Sequence, residues 1–109
     1  MIINKKNISA HGIKLFVEEN GEEVARAYLY ILKNDLHDKP FGFMEDVFVN
    51  ENQRGKGLGT EIVQKLMEEA KNQGCYKLIA NSRHENIKVH SLYEKLGFKN
   101  HGLELRIDY

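Results

Sequence analysis

Proline and cysteine occur once each, at Pro40 and Cys75, and sixteen acidic residues cancel sixteen basic ones. A lone cysteine cannot close an internal disulfide, so no covalent staple is available within the chain. Zero net charge argues against a protein whose main work is on the nucleic-acid backbone or an anionic membrane surface, since both reward an excess of Lys and Arg. No apolar run approaches the roughly twenty residues of a membrane span. Met1 to Gly12 lacks the apolar centre of a secretory leader, so the cytoplasm is the expected compartment. The five histidines, His11, His37, His84, His90 and His101, show no ligand spacing, and no metal is expected. Repeats and low-complexity tracts are missing too. What remains is a balanced chain of 109 residues, 41% hydrophobic and 29% charged. That length suits one domain over residues 1–109, able to bury roughly two-thirds of its unfolded surface.

The chain is organised around residues 43–73. Phe43 to Val49 is an apolar and β-branched run broken only by Glu45 and Asp46, which predicts a strand largely buried on both faces. Leu58, Ile62, Val63, Leu66, Met67 and Ala70 then recur at helical spacing, with Glu61 and Lys65 set for an i,i+4 pair and Gly74 placed to stop the helix.

Between strand and helix lies Gln53-Arg54-Gly55-Lys56-Gly57-Leu58-Gly59-Thr60, with three glycines at alternate positions. Such a loop can aim several backbone N–H groups at one anion: glycine admits positive φ and close approach, and the first helical turn supplies unsatisfied donors and positive potential. Arg54 and Lys56 add full charges, so a phosphate or pyrophosphate ligand is expected. The loop is not a Walker motif, because Lys56 is followed by Gly57 and position 50 is Asn. A dinucleotide fingerprint fails as well: the third glycine falls one residue early and the strand near Tyr76 to Asn81 carries no acidic residue for a ribose.

Ahead of this unit, Ile13 to Glu18 and Val24 to Leu32 flank Asn20-Gly21, a strong hairpin signal. Asn34 to Pro40 reads as a polar loop. After it, Tyr76 to Ala80 reads as a strand, Asn86 to Leu96 as a helix with its stripe at Val89, Leu92, Tyr93 and Leu96, and Gly97 as its cap. Leu103 to Tyr109 is expected to finish the sheet. An antiparallel meander followed by strand, helix, strand, helix, strand predicts an α/β architecture with helices packed on a mixed sheet.

The loop residues 53–59 resemble the acetyl-CoA pyrophosphate loop of the GNAT superfamily of N-acetyltransferases. Asn86 followed by Leu92-Tyr93-Glu94-Lys95-Leu96-Gly97-Phe98 is similar to the family's second signature, about thirty residues further on. Glu45-Asp46-Val47 is also similar to the glucosamine-phosphate acetyltransferase branch. The resemblance implies transfer of an acetyl group from acetyl-CoA to a primary amine of a small molecule or protein. In that reading Arg54, Gly55, Lys56, Gly57, Leu58, Gly59 and Thr60 hold the pyrophosphate and Asn86 binds the cofactor. The backbone of Val47, Phe48 and Val49, in a typically bulged and splayed strand, receives the thioester and pantetheine. Tyr93 serves as general acid, and Glu45 or Asp46 as general base on opposite faces of the strand. Plainer roles compete: Tyr93 as one more ring in the stripe, Asn86 as a helix N-cap, Glu45 as an ion-pair partner of Arg26. The rival from another class is a non-catalytic acyl-CoA-binding or sensing module. Only about a dozen residues precede Ile13, where the family places a strand and two helices. Apolar surface around Phe16, Tyr28 and Tyr30 is therefore expected to lie open unless a second copy, in a homodimer, or a large substrate covers it, and self-association is the expectation. Arg83, His84 and His90 flank the expected thioester end, and Cys75 reads as a small buried hydrophobe.

Overall fold

Asn20 and Gly21 both take positive φ, +54° and +77°, which is the backbone of a two-residue hairpin turn. The turn joins β1 (His11–Glu19) to β2 (Glu22–Leu32). The computed structural model describes residues 1–82 and 87–109. β3 (Phe41–Val49) follows the polar loop, and a short 3-10 turn at Glu51–Gln53 leads to α1 (Leu58–Asn72), then β4 (Leu78–Ala80) and α2 (Ile87–Lys95). The sheet order is β1-β2-β3-β4, antiparallel through the meander and parallel between β3 and β4, as the α1 crossover requires. No helix among the described residues is long and apolar enough to cross a membrane.

The core lies between one face of the sheet and α1. Ala25, Ala27, Leu29 and Ile31 alternate down β2, and Met44 joins them from β3. Ile62, Val63, Leu66 and Ala70 meet them from the helix. Leu29, Val63 and Leu66 are the largest fully buried side chains. The helix ends as expected: Gly74 donates to the Lys71 carbonyl at 3.0 Å and Cys75 to that of Ala70 at 3.1 Å, closing the last turn. Lys65 pairs with Glu68 at 3.5 Å rather than with Glu61, an exposed choice of partner worth little either way.

Two expectations fail in an instructive way. The strand from Phe43 to Val49, expected to be buried on both faces, is covered with the rest of the meander on one face only: Tyr28 and Phe43 are half-buried, Tyr30 is 38% exposed and Phe16 51%, because no described element covers the side opposite α1. The strand expected at Leu103 to Tyr109 does not join the sheet. Its alternation is strand-like, but a strand needs a partner edge, and β4 pairs with β3 over three residues only.

Candidate active site

β3 slips phase in its middle. Gly42 and Met44 are buried on the core side, yet Val47 and Val49, at odd positions, are the next to face the core. One extra residue absorbs the slip. Arg26 is opposite Phe48 and Tyr28 is opposite Glu45, so Ala27 faces two residues, and Asp46 takes φ +52° to make the bulge. The bulge sits just upstream of Val47–Val49, where the resemblance places it. Because of it, Glu45 and Asp46 are both exposed, and simple alternation no longer assigns them opposite faces.

Beyond Met44 the strand also loses its neighbour. The parallel pairing to β4 covers Gly42 to Met44, and among the described residues Glu45 to Val49 have no partner on that edge. A run of backbone N–H and C=O groups is thereby left open beside the phosphate loop, as a splayed strand would leave it.

The loop itself is tied down at both ends. Asn50 N–H donates to the Val24 carbonyl at 2.7 Å and Gln53 N–H to that of Asn50 at 2.8 Å. Arg54 Nε reaches back to the Val49 carbonyl at 3.1 Å, so this guanidinium braces the strand end as well as adding charge. Gln53 Nε2 holds Glu19 at 2.8 Å, fastening the loop to the β1–β2 hairpin, and its Oε1 accepts from Lys56 Nζ at 3.5 Å. That fastening role for Gln53 was not visible in the sequence, where Gln53 was only the first residue of the glycine run. Gly55 and Gly57 take φ +82° and +79°, and nothing lies within 4 Å of where a Cβ would stand at either. The loop is thus open on its outer side. Gly59 is different: a Cβ there would meet Val49 Cγ2 at 3.5 Å, so the first turn of α1 lies against β3. The first α1 hydrogen bond runs from Glu61 N–H to the Gly57 carbonyl at 3.0 Å. The N–H groups that precede it, through Leu58, Gly59 and Thr60, have no intrahelical acceptor, and Gly57 supplies no side-chain cap. Uncapped donors, helix dipole, Arg54 and Lys56 make this a site for an anion.

Tyr93 is half-buried and packs against the same core cluster as Val47, Val49 and Leu58. Gly97, at φ +106°, closes α2: Gly97 N–H donates to Glu94 and Phe98 N–H to the Tyr93 carbonyl, each at 3.0 Å. The Phe98 ring then lies 5.4 Å from that of Tyr93. Residue and ring are fixed by one capping motif, a role for Gly97 and Phe98 that the run Leu96-Gly97-Phe98 could have signalled. Burial pushes the Tyr93 phenol above its ordinary pKa. Asn86, Arg83 and His84 lie outside the described residues. His90 is half-buried on α2.

Glu45 does not pair with Arg26. Arg26 bonds Glu23 at 3.4 Å and lies 4.5 Å over the Phe48 ring, and Lys14 also bonds Glu23 while facing Phe16 and Tyr28 at 5.1 and 5.7 Å. The hydrogen bond to Lys14 is the main reason the Glu23 carboxyl is held below its usual range and the ammonium above its own. Glu45, opposite Tyr28, is left exposed with no ion pair among the described residues. Cys75 is half-buried, and burial pushes its thiol pKa up, which weakens it as a nucleophile.

A splayed, bulged strand running into an anion-binding helix N-terminus, with a phenol set against the same core, defines an acyltransferase-like α/β domain. Residues 3–98 match the acetyltransferase (GNAT) family, and the chain belongs to that family. Glucosamine 6-phosphate N-acetyltransferase of Trypanosoma brucei brucei is 40% identical over 67 residues, 62% of this chain and 44% of that protein. The Arabidopsis thaliana protein of the same name is 38% identical over 89 residues, 81% of this chain and 58% of its own. The crystal structure of glucosamine-6-phosphate N-acetyltransferase from Arabidopsis thaliana superposes with TM-score 0.79 at 35% identity, covering 90% of this chain and 67% of that one. The chain spans about half the length of the relatives it matches in sequence.

Proposed function

We propose that this chain is one acetyltransferase domain that moves an acetyl group from acetyl-CoA to a primary amine, with an amino-sugar phosphate as the first acceptor to test. The observation that carries the reading is the unpaired edge of Glu45 to Val49, bulged at Asp46 and running into a loop of uncapped donors. An extended pantetheine would pair along that edge while the pyrophosphate meets the N–H groups from Lys56 to Thr60, flanked by Arg54 and Lys56. The amine nitrogen attacks the thioester carbonyl carbon, and the developing oxyanion is met by backbone N–H groups of Val47 to Val49. The C–S bond breaks as the intermediate collapses, and the leaving thiolate takes the Tyr93 proton. The amine gives its proton to Glu45, or to Asp46 beside it, directly or through water.

Two features favour an anionic sugar. The relatives' names specify one, and Lys14 and Arg26 hold their charges beside aromatic rings on the open sheet face. The experiment is an acceptor screen following CoA thiol release, with glucosamine 6-phosphate beside glucosamine, a polyamine and a peptide amine. Turnover highest with the phosphorylated sugar is expected. Acetyl-CoA binding without turnover on any amine would instead favour the binding or sensing module.

A further inference from the structure

Arg26 uses little of what a guanidinium offers. Such a group has five N–H donors in a planar fork, and among the described residues one is engaged, Nη1 to Glu23 Oε2 at 3.4 Å, a long hydrogen bond. Lys14 Nζ holds the other oxygen of that carboxylate by a shorter bond. The guanidinium carbon lies 4.5 Å from the centre of the Phe48 ring, and the Arg26 side chain is 35% exposed. An arginine seated over a ring with most of its donors unengaged is preorganised for a second partner, and its fork matches two oxygens of a phosphate.

The place of Arg26 on the sheet says which partner. Arg26 is opposite Phe48, the middle residue of the Val47–Val49 run whose backbone would face the thioester, and Tyr28 is opposite Glu45. Alternation puts Arg26 and Tyr28 on one face of β2, and two residues of strand set them roughly 7 Å apart. Opposed positions share a face, so Glu45 and Arg26 stand on the same open side. One end of that interval is the carboxylate that would take the amine's proton, and the donor fork lies about 7 Å further along the sheet. Between them are the rings of Tyr28 and Phe48, an apolar floor. The other charges of this face lie toward β1 and the hairpin: Lys14 is opposite Tyr28 on β1, and Glu18 is opposite Glu23.

We infer that Arg26 is the specificity residue of the acceptor site, gripping through two N–H groups the phosphate of an acceptor whose amine lies about 7 Å away at Glu45. This rests on the acetyltransferase reading and adds to it the residue that selects the acceptor and the spacing it demands. An amine and a phosphate on opposite sides of one sugar ring meet that spacing, whereas a two-carbon amino phosphate is too short.

The test compares kcat/KM for glucosamine 6-phosphate against glucosamine, and for phosphoethanolamine against ethanolamine, in the parent, Arg26→Gln and Arg26→Lys. Melting temperature and acetyl-CoA affinity are the controls on the fold and the donor site. The parent should prefer the phosphorylated sugar by at least about tenfold, and Arg26→Gln should bring that ratio to within about twofold. Arg26→Lys, a point charge without a fork, should restore only part of it. Phosphoethanolamine should gain no such advantage. A parent without the preference, a ratio that Arg26→Gln leaves as it was, or an equal gain for phosphoethanolamine would overturn the inference while leaving acetyl transfer standing. If no amine is acetylated, the acetyltransferase proposal falls instead, and calorimetry with glucose 6-phosphate, which has the phosphate and no amine, still decides the role of Arg26. Binding that is lost in Arg26→Gln supports the grip, and binding that is absent from the parent or equal in both overturns it.

Discussion

Tyr93 is held twice by its neighbours, through the Phe98 N–H on its carbonyl and the Phe98 ring against its own. Its hydroxyl has no hydrogen-bond partner among the described residues. Tyr93→Phe keeps the ring and its packing and removes only the proton. If the phenol protonates the leaving thiolate, kcat should fall by about 10²- to 10⁴-fold with acetyl-CoA affinity and melting temperature little changed. Burial raises the phenol's pKa above its usual value, so the protonated form, and the rate it supports, persists below that pKa and is lost as pH rises through it. The basic limb of the parent's rate profile should therefore lie above pH ~10 and vanish in the Phe variant. A full-speed Phe variant would leave Tyr93 as packing alone. The residue was legible in Tyr-Glu-Lys-Leu-Gly-Phe; a bulge was expected from the resemblance alone, and its placing at Asp46 was not read from the residues themselves. Its only trace is the change of phase from Met44 to Val47, which competes with the ordinary reading of a strand interrupted by two acids.

At the scale of elements, the strand-loop-helix unit was the most legible part, because each signal has a local cause: β-branched run, turn formers, glycines, then an apolar stripe. α1 forms at Leu58–Asn72 for these reasons. The loop's preference for backbone over side chain gives a second prediction. Lys56 is exposed, and its described hydrogen bond, to Gln53, is long at 3.5 Å. Lys56→Ala should remove one screened charge from the site and cost acetyl-CoA affinity severalfold at most. Gly57, at φ +79°, has open space where a Cβ would stand, so the penalty at this position is conformational rather than steric. Gly57→Val puts a β-branched residue in that region and tilts the N–H groups that would face the phosphates. Calorimetric titration should show the Val variant weakened by more than tenfold, or about 1.4 kcal/mol, and well beyond the Ala variant. Equal losses would transfer the site to the cations. What was not legible is the length of β4 and the fate of residues 103–109, since alternation marks a strand without saying whose edge it meets.

The whole molecule is a single-sided sandwich, and its two faces should answer differently to the same kind of change. On the α1 side, Leu66 is fully buried against Leu29 and Val63, and truncating it leaves a cavity that a helix packed on a sheet cannot close. Leu66→Ala should lower unfolding free energy by about 2–5 kcal/mol. On the other side, Phe16 is 51% exposed with Lys14 over its ring, so Phe16→Ser removes half a contact and one weak cation–π pair. Its cost should stay near 1 kcal/mol or below. Urea titrations measure both, with a constant m-value as the sign that each variant unfolds from the same fold. The open face lies on the side of Glu45 and carries the Lys14 and Arg26 charges. If it meets the acceptor, Phe16→Ser should raise the acceptor KM while leaving that for acetyl-CoA alone. A loss of stability at Phe16 comparable to that at Leu66 would mean the face is covered in solution, and a second layer, from another copy or from another segment, would then have to be sought there.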